Sequence, residues 1–230
     1  MPQRGPLQWV DGEGWIVLSG GGDWKRGETD SIDAHVLSLA NLDRPMAVLL
    51  SNGHREEAEA ILEHYQALGG PGGEAFVLSQ RKEQIFREDD FLSLLSEAGI
   101  LYLGGDDPSF LIHSLRSSPA IHKIVKGFAT LQGLIIVGAG SGAAALGTWV
   151  PGDALLDSEV TGLNFVHHMV VTPHFTRTEQ IEALRTMIQS YAGALGLGIP
   201  EGSALALGPH GEVETWGSGE VTAVVHKAEE

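Results

Sequence analysis

The sequence predicts an α/β fold: a three-layer α/β/α sandwich with a mostly parallel central sheet and short antiparallel strands at its C-terminal end. Three observations predict it. Through the first two-thirds of the chain, apolar runs of strand length alternate with stretches of helical period. Those runs are continuous rather than alternating, the pattern of strands covered on both faces. And the run 133–147 compresses a strand, a glycine-rich turn and an alanine-rich helix into one stretch: Leu134, Ile135, Ile136 and Val137, then Gly138, Ala139, Gly140, Ser141 and Gly142, then Ala143, Ala144 and Ala145. At 230 residues with no linker, repeat or low-complexity segment, a single domain is expected over 1–230.

The elements follow in order. Residues 15–18 form a short strand entering the glycine loop 19–24, which lacks the lysine–serine/threonine ending of a phosphate-binding loop. A helix is expected over 32–40 and a second buried strand over 45–50. Residues 55–68 are amphipathic: Ala58, Ile61, Leu62, Tyr65 and Leu68 recur at helical spacing, and Gly69 and Gly70 end the helix. A strand at 75–78 and a helix at 91–98 follow, with Asp89 and Asp90 suited to the positive end of its dipole. The strand 100–103 enters Gly104, Gly105, Asp106, Asp107 and Pro108. Helices near 110–115 and 121–131 lead to the 133–147 run. Beyond it, 149–161 is irregular and 169–172 is a strand. Thr176 and Glu179 resemble a capping box for a helix carrying Ile181, Leu184, Met187, Ile188 and Tyr191. The tail 195–225 reads as short strands separated by turns at 209–211 and 217–219.

Composition narrows the chemistry. Fourteen basic against 30 acidic residues give a net charge of −16, which argues against a nucleic-acid partner and an anionic membrane surface. There is no cysteine, so thiolate metal sites, disulfides and a cysteine nucleophile are excluded. No apolar run has the length of a membrane span, and the first residues have no signal-peptide core. The expectation is a cytoplasmic protein without cofactor or metal. His167 and His168 are adjacent before a strand, where neighbours point to opposite faces, so they do not share a metal.

In a parallel sheet, ligands sit outside the carboxyl ends of the strands. The loops at 20–24, 51–54, 104–108 and 138–142 all leave such ends. A serine on a strand–turn–helix junction is either a helix N-cap or an exposed nucleophile. Ser141, His174 and an acid from Asp153, Asp157 or Glu159 have the residue types of a serine–histidine–acid relay. There the histidine takes the serine proton and the acid fixes its tautomer.

Five segments in order resemble the serine peptidase family of peptidase E (aspartyl dipeptidase) and cyanophycinase, whose fold is similar to class I glutamine amidotransferases. They are Gly20-Gly21-Gly22-Asp23; Leu103-Gly104-Gly105-Asp106-Asp107; Gly162-Leu163-Asn164-Phe165-Val166; Val170-Val171-Thr172-Pro173-His174-Phe175; and Gly198-Ile199-Pro200-Glu201-Gly202-Ser203-Ala204. The resemblance implies a flavodoxin-like α/β/α sandwich and a serine-type hydrolase of aspartyl peptides. It implies His174 as catalytic histidine, Gly105 and its neighbours on the oxyanion side, and Asp106, Asp107 and Arg177 near the substrate. A small peptide or amino-acid-like ligand is the implied partner, and a homodimer is an open arrangement. A glutamine amidotransferase of the usual kind is excluded by the absence of cysteine.

The turn departs from the family. Where the family reads G-T-S-A-G-A, this chain reads Gly138-Ala139-Gly140-Ser141-Gly142-Ala143, which puts Gly140 at the nucleophile position. Two registers are open. In one, the turn is shifted and Ser141 is the nucleophile, with Ala139 and Ala143 as its small flanking residues. In the other, Gly140 keeps the apex at positive φ and Ser141 enters the helix, leaving an inactive or altered hydrolase or a binding protein. The second register is favoured, because a shift would move a helix packed tightly on the sheet. It predicts positive φ at Gly140 and no hydrogen bond from Ser141 Oγ to the His174 ring.

Overall fold

The computed structural model describes residues 5–78, 89–130, 133–150, 161–191 and 193–225. Its centre is a seven-stranded sheet in the order β11-β10-β2-β6-β5-β3-β4. Five of these strands run parallel: β2 (Trp15–Ser19), β6 (Ile135–Ala139), β5 (Ile100–Gly105), β3 (Met46–Ser51) and β4 (Gly73–Leu78). β10 (Ser203–Leu207) and β11 (Val213–Gly217) extend the β2 side as an antiparallel pair. The continuous apolar runs are the buried strands, as their sequence requires. All six residues of β3 are buried, and so are four of five in β2.

Helices cover both faces, and the period-two alternation of each strand divides two cores. Val17, Val48, Ile100, Ile135 and Val137 point to one face, where α1 (Asp30–Leu39) and α2 (Arg55–Ala67) lay Ile32, Val36, Ile61 and Tyr65. Ile16, Leu18, Leu49, Leu101 and Ile136 point to the other. There they meet α3 (Asp89–Glu97), α4 (Pro108–Arg116), α5 (Ala120–Thr130) and α6 (Ser141–Leu146). Full burial of one such side chain stabilises by about 1.5–3 kcal/mol.

Two smaller sheets flank this body. β1 (Gln8–Trp9) pairs with β7 (Val166–His167). β8 (Met169–Thr172), β9 (Leu195–Gly198) and β12 (Thr222–Val225) form a three-stranded sheet in the order β12-β9-β8. α7 (Arg177–Gln189) packs Leu184 and Ile188 onto it beside Val170 and Phe175. The α1 and α2 boundaries lie within two residues of those expected from sequence. The capping box does not form: Thr176 is the N-cap residue, but its side chain makes no cap bond. The Gln180 carboxamide instead accepts from the Thr176 N–H at 2.7 Å. His168 departs from strand geometry with φ of 53°, so the extended-strand argument for the histidine pair applies only to His167. No helix among the described residues is long and apolar enough to cross a membrane.

Candidate active site

The carboxyl ends of β2, β3, β5 and β6 bring the glycine loops to one edge. Gly140 joins β6 to α6 with φ 54° and ψ −118°. That combination is strained for any residue with a Cβ and free for glycine. The Gly140 N–H donates to Ser19 O at 3.1 Å, and its carbonyl accepts from Ala143 N–H at 3.0 Å. Two flanking glycines are required by contact. A Cβ on Gly142 would lie 2.0 Å from Leu103 O, and one on Gly138 2.7 Å from the Leu146 side chain. Small residues thus stand two places to either side of Gly140, the spacing of a nucleophile elbow with its apex at Gly140.

Ser141 is the first residue of α6, and its hydroxyl donates to the Gly105 carbonyl. It makes no hydrogen bond to the His174 ring. Its N–H, immediately after the apex, belongs to the helix donors that have no intrahelical acceptor. Gly105 has φ of 105°, and a Cβ there would strike the Ser51 backbone at 2.1 Å. The β5 loop is therefore held against β3, with Asp106 N–H on Ser51 O at 3.0 Å.

His174 lies two residues past the end of β8, with φ of 50°. Its N–H donates to Gly20 O at 3.0 Å, tying it to the glycine loop after β2. Its ring is oriented by one carboxylate and lies over two glycines. Nδ1 is 2.8 Å from Glu201 Oε1. Cε1 stands 2.5 Å from where a Gly21 Cβ would be, so Gly21 leaves room for the ring. Nε2 stands 3.1 Å from the ideal Cβ position of Gly140. With Nδ1 hydrogen-bonded to a carboxylate, the neutral ring carries its proton there and turns the Nε2 lone pair toward the apex. The His174 and Glu201 side chains are 54% and 60% exposed, so both are open to solvent.

These are the geometric relations of a histidine–acid pair aimed at a nucleophile elbow. Residues 15–212 match the sequence profile of Peptidase family S51. The chain belongs to that family. Cyanophycinases of Synechococcus elongatus and of Thermosynechococcus vestitus (strain NIES-2133 / IAM M-273 / BP-1) are each 23% identical over 227 residues. Those alignments cover 92% of this chain and 68% of each relative. The crystal structure of a peptidase from an acI-B1 Actinobacterium superposes with a TM-score of 0.72 at 18% identity, covering 96% of this chain and 97% of that one. A putative peptidase E protein from Listeria monocytogenes EGD-e gives 0.58 at 16% identity, covering 93% and 98%. The two structures share the fold.

Of the residues singled out in the sequence, Gly105, Gly140, Ser141, Gly142 and His174 converge on one edge. Asp107 caps a helix. It is the N-cap of α4, its Oδ1 accepting from Phe110 N–H at 2.9 Å. Arg177 pairs with Glu220 at 3.5 Å, and both side chains are largely exposed. Asp153, Asp157 and Glu159 fall outside the described residues. The acid beside His174 is Glu201, which lies in the last of the five family-like segments and carries no role from sequence alone. The signal for it is topological. β8 and β9 are parallel with Thr172 opposite Gly198, so residues two and three past those positions come together. Among the described residues no three histidine or carboxylate side chains cluster as a metal site.

Proposed function

We propose that this S51 protein binds a small peptide or amino-acid-like ligand at the His174–Glu201 edge and forms no acyl-enzyme. The observation that carries this reading is Gly140 at the elbow apex, its absent side chain directed at His174 Nε2. A covalent mechanism needs a hydroxyl there whose proton the histidine can take. Ser141, one residue on, is turned to the Gly105 carbonyl, which supports the unshifted register. Such loss or change of chemistry on a retained fold is ordinary, because function resides in the site.

The His174–Glu201 pair favours a second reading, hydrolysis with water as nucleophile. In it, His174 Nε2 takes a proton from water as the oxygen bonds to the scissile carbonyl carbon. The proton then passes to the leaving amine as the C–N bond breaks. Serine-protease sites that lack one member of the relay keep about 10³–10⁴-fold catalysis over water, so this activity would be slow.

Release of amino acids from a panel of aspartyl and other dipeptides separates the readings. The binding reading expects no release. Release lost in His174→Gln and kept in Ser141→Ala supports the water mechanism. Release lost in Ser141→Ala, with a burst of acyl-enzyme, overturns both in favour of Ser141 as nucleophile.

A further inference from the structure

One buried acid has no part in the site described above. Asp33 of α1 is only 5% exposed, and an acid is seldom buried without donors to meet it. Three meet it here. Tyr65 Oη donates to its Oδ1 at 2.6 Å, Thr29 Oγ1 donates to its Oδ2 at 2.7 Å, and His64 Nε2 lies 2.9 Å from the same Oδ2. Tyr65 and His64 belong to α2, so they tie the two helices of that face together. Thr29 does something else. It is the N-cap residue of α1, yet its hydroxyl makes no cap bond and reaches one turn on, to Asp33. The usual use of a threonine at this position is given up for a hold on the end of the β2–α1 loop, residues 20–29.

That loop is the shelf on which His174 and Glu201 rest. Gly20 O accepts from the His174 N–H at 3.0 Å, and Gly21 O accepts from the N–H of Gly202, next to Glu201, at 2.8 Å. The ideal Cβ position of Gly22 is 3.2 Å from Gly202 N and 3.3 Å from the Thr29 methyl. Thr29 on one side and the His174 and Glu201 segments on the other thus pack against the same glycines. The middle of the loop closes on itself, with Asp23 N–H on Glu28 Oε2 at 2.8 Å and Glu28 N–H on Asp23 O at 3.2 Å. It is pinned to the helices at Thr29, by Asp33, and at Trp24, whose ring centroid is 5.4 Å from that of His64. Both pins converge on the Asp33–His64 contact. The pair above the shelf does not order itself. His174 and Glu201 are both more than half exposed, and an exposed charged contact contributes little ordering energy of its own. Its geometry comes from the backbone on which both residues rest.

We propose that Asp33 is a positioning residue for the His174–Glu201 pair. It touches neither residue. It fixes the end of the loop through Thr29, and the loop fixes the distance between His174 Nδ1 and Glu201 Oε1. Without the Asp33 carboxylate the loop shifts against His174 and the Nδ1 contact lengthens. The ring is then released to the tautomer protonated on Nε2, which has no lone pair to turn toward the apex. The inference rests on the reading that the His174–Glu201 edge is the working site, but its measurement reads the ring itself and needs no substrate.

The test is nitrogen NMR of the His174 ring in the full chain at about pH 9, where an ordinary imidazole is neutral and its two nitrogens report the tautomer. His174→Gln assigns the signals. The wild-type ring shows the Nδ1–H form in excess. Asp33→Asn keeps the shape of the side chain but leaves one acceptor oxygen in place of two. It lowers the ratio of Nδ1–H to Nε2–H by about threefold or more, the low end of what one hydrogen bond shifts an equilibrium. Thr29→Val keeps a branched side chain beside Gly22 but removes the hydroxyl, and it moves the ratio the same way. Ile124→Val, in the core on the other face of the sheet, is the comparison for a general loss of stability and leaves the ratio unchanged. A folded Asp33→Asn or Thr29→Val with the wild-type ratio overturns the proposal. So does an equal change in Ile124→Val, or a wild-type ring with no excess of the Nδ1–H form. If Asp33→Asn does not fold, Thr29→Val decides. Dipeptide release and probe labelling test the chemistry of the site separately, and neither result alters this ratio.

Discussion

A Gly140→Ser variant would place a side chain at the apex of the β6–α6 turn. Its Cβ would lie 3.1 Å from His174 Nε2, a few tenths of an ångström tighter than ordinary contact. His174 is half exposed and can yield that distance. The backbone at φ 54° and ψ −118° is already of the elbow type, so no helix has to move. The strain of carrying a Cβ there costs about 1–3 kcal/mol, which for a chain of this size lowers Tm by about 2–12 °C. In exchange, the serine hydroxyl comes within reach of a histidine already oriented by Glu201 at 2.8 Å. The variant is expected to become phosphonylated at position 140, with peptide mapping by mass spectrometry as the assay. Dipeptide hydrolysis should rise at least about 100-fold over wild type. The full effect of a triad serine is on the order of 10⁶, and a site not shaped around one will not recover all of it. A folded variant that stays unlabelled at residue 140 refutes the claim that the elbow register centres there.

Other predictions follow from the same contacts. Gly142→Ala drives a methyl to 2.0 Å from Leu103 O, a backbone atom. It should destabilise by about 3 kcal/mol or more, or abolish folding, as denaturant unfolding will show. Asp107→Ala removes the α4 cap and should cost about 1 kcal/mol in the same assay, with no shift in register at the elbow. The hydrogen bond that His64 donates to the Asp33 carboxylate raises the His64 pKa above its usual 6.5, against the opposing effect of burial. A raised folded-state value contributes stability below pH 6.5 that is lost as pH rises through the folded value. The Tm gap between wild type and His64→Gln should therefore be wider at pH 5.5 than at pH 8.5, and a gap that widens at high pH contradicts the assignment. Burial lowers the His167 pKa. That contribution has the opposite sign, so His167→Gln should lose less Tm than wild type on acidification below pH 6.5.

Much of the fold is legible in the sequence because its signals are local. The continuous apolar runs Met46–Ser51 and Ile135–Ala139 can bury both faces only inside a covered parallel sheet, and they do. The Arg55–Ala67 helix follows from its periodicity and its glycine stop. The elbow is legible too, because Gly138 and Gly142 stand where packing admits no side chain. What sequence does not supply is pairing at a distance. Glu201 meets His174 through the β8–β9 register, 27 residues away. Asp33 meets His64 and Tyr65 because α1 and α2 share one face of the sheet. Asp107 also caps α4, a role that Pro108 at the first helical position signals in the sequence. The Thr176 capping box fails because Gln180 reaches the Thr176 N–H that the pattern assigns to Glu179.

The central claim is that the apex of the turn is Gly140 and that Ser141 is not a nucleophile. Incubating the wild-type protein with an active-site phosphonylating probe and weighing it intact tests this most directly. The mass is predicted to stay that of the unmodified chain, under conditions where Gly140→Ser gains one adduct. An adduct on the wild-type protein that maps to Ser141 and disappears in Ser141→Ala would contradict it.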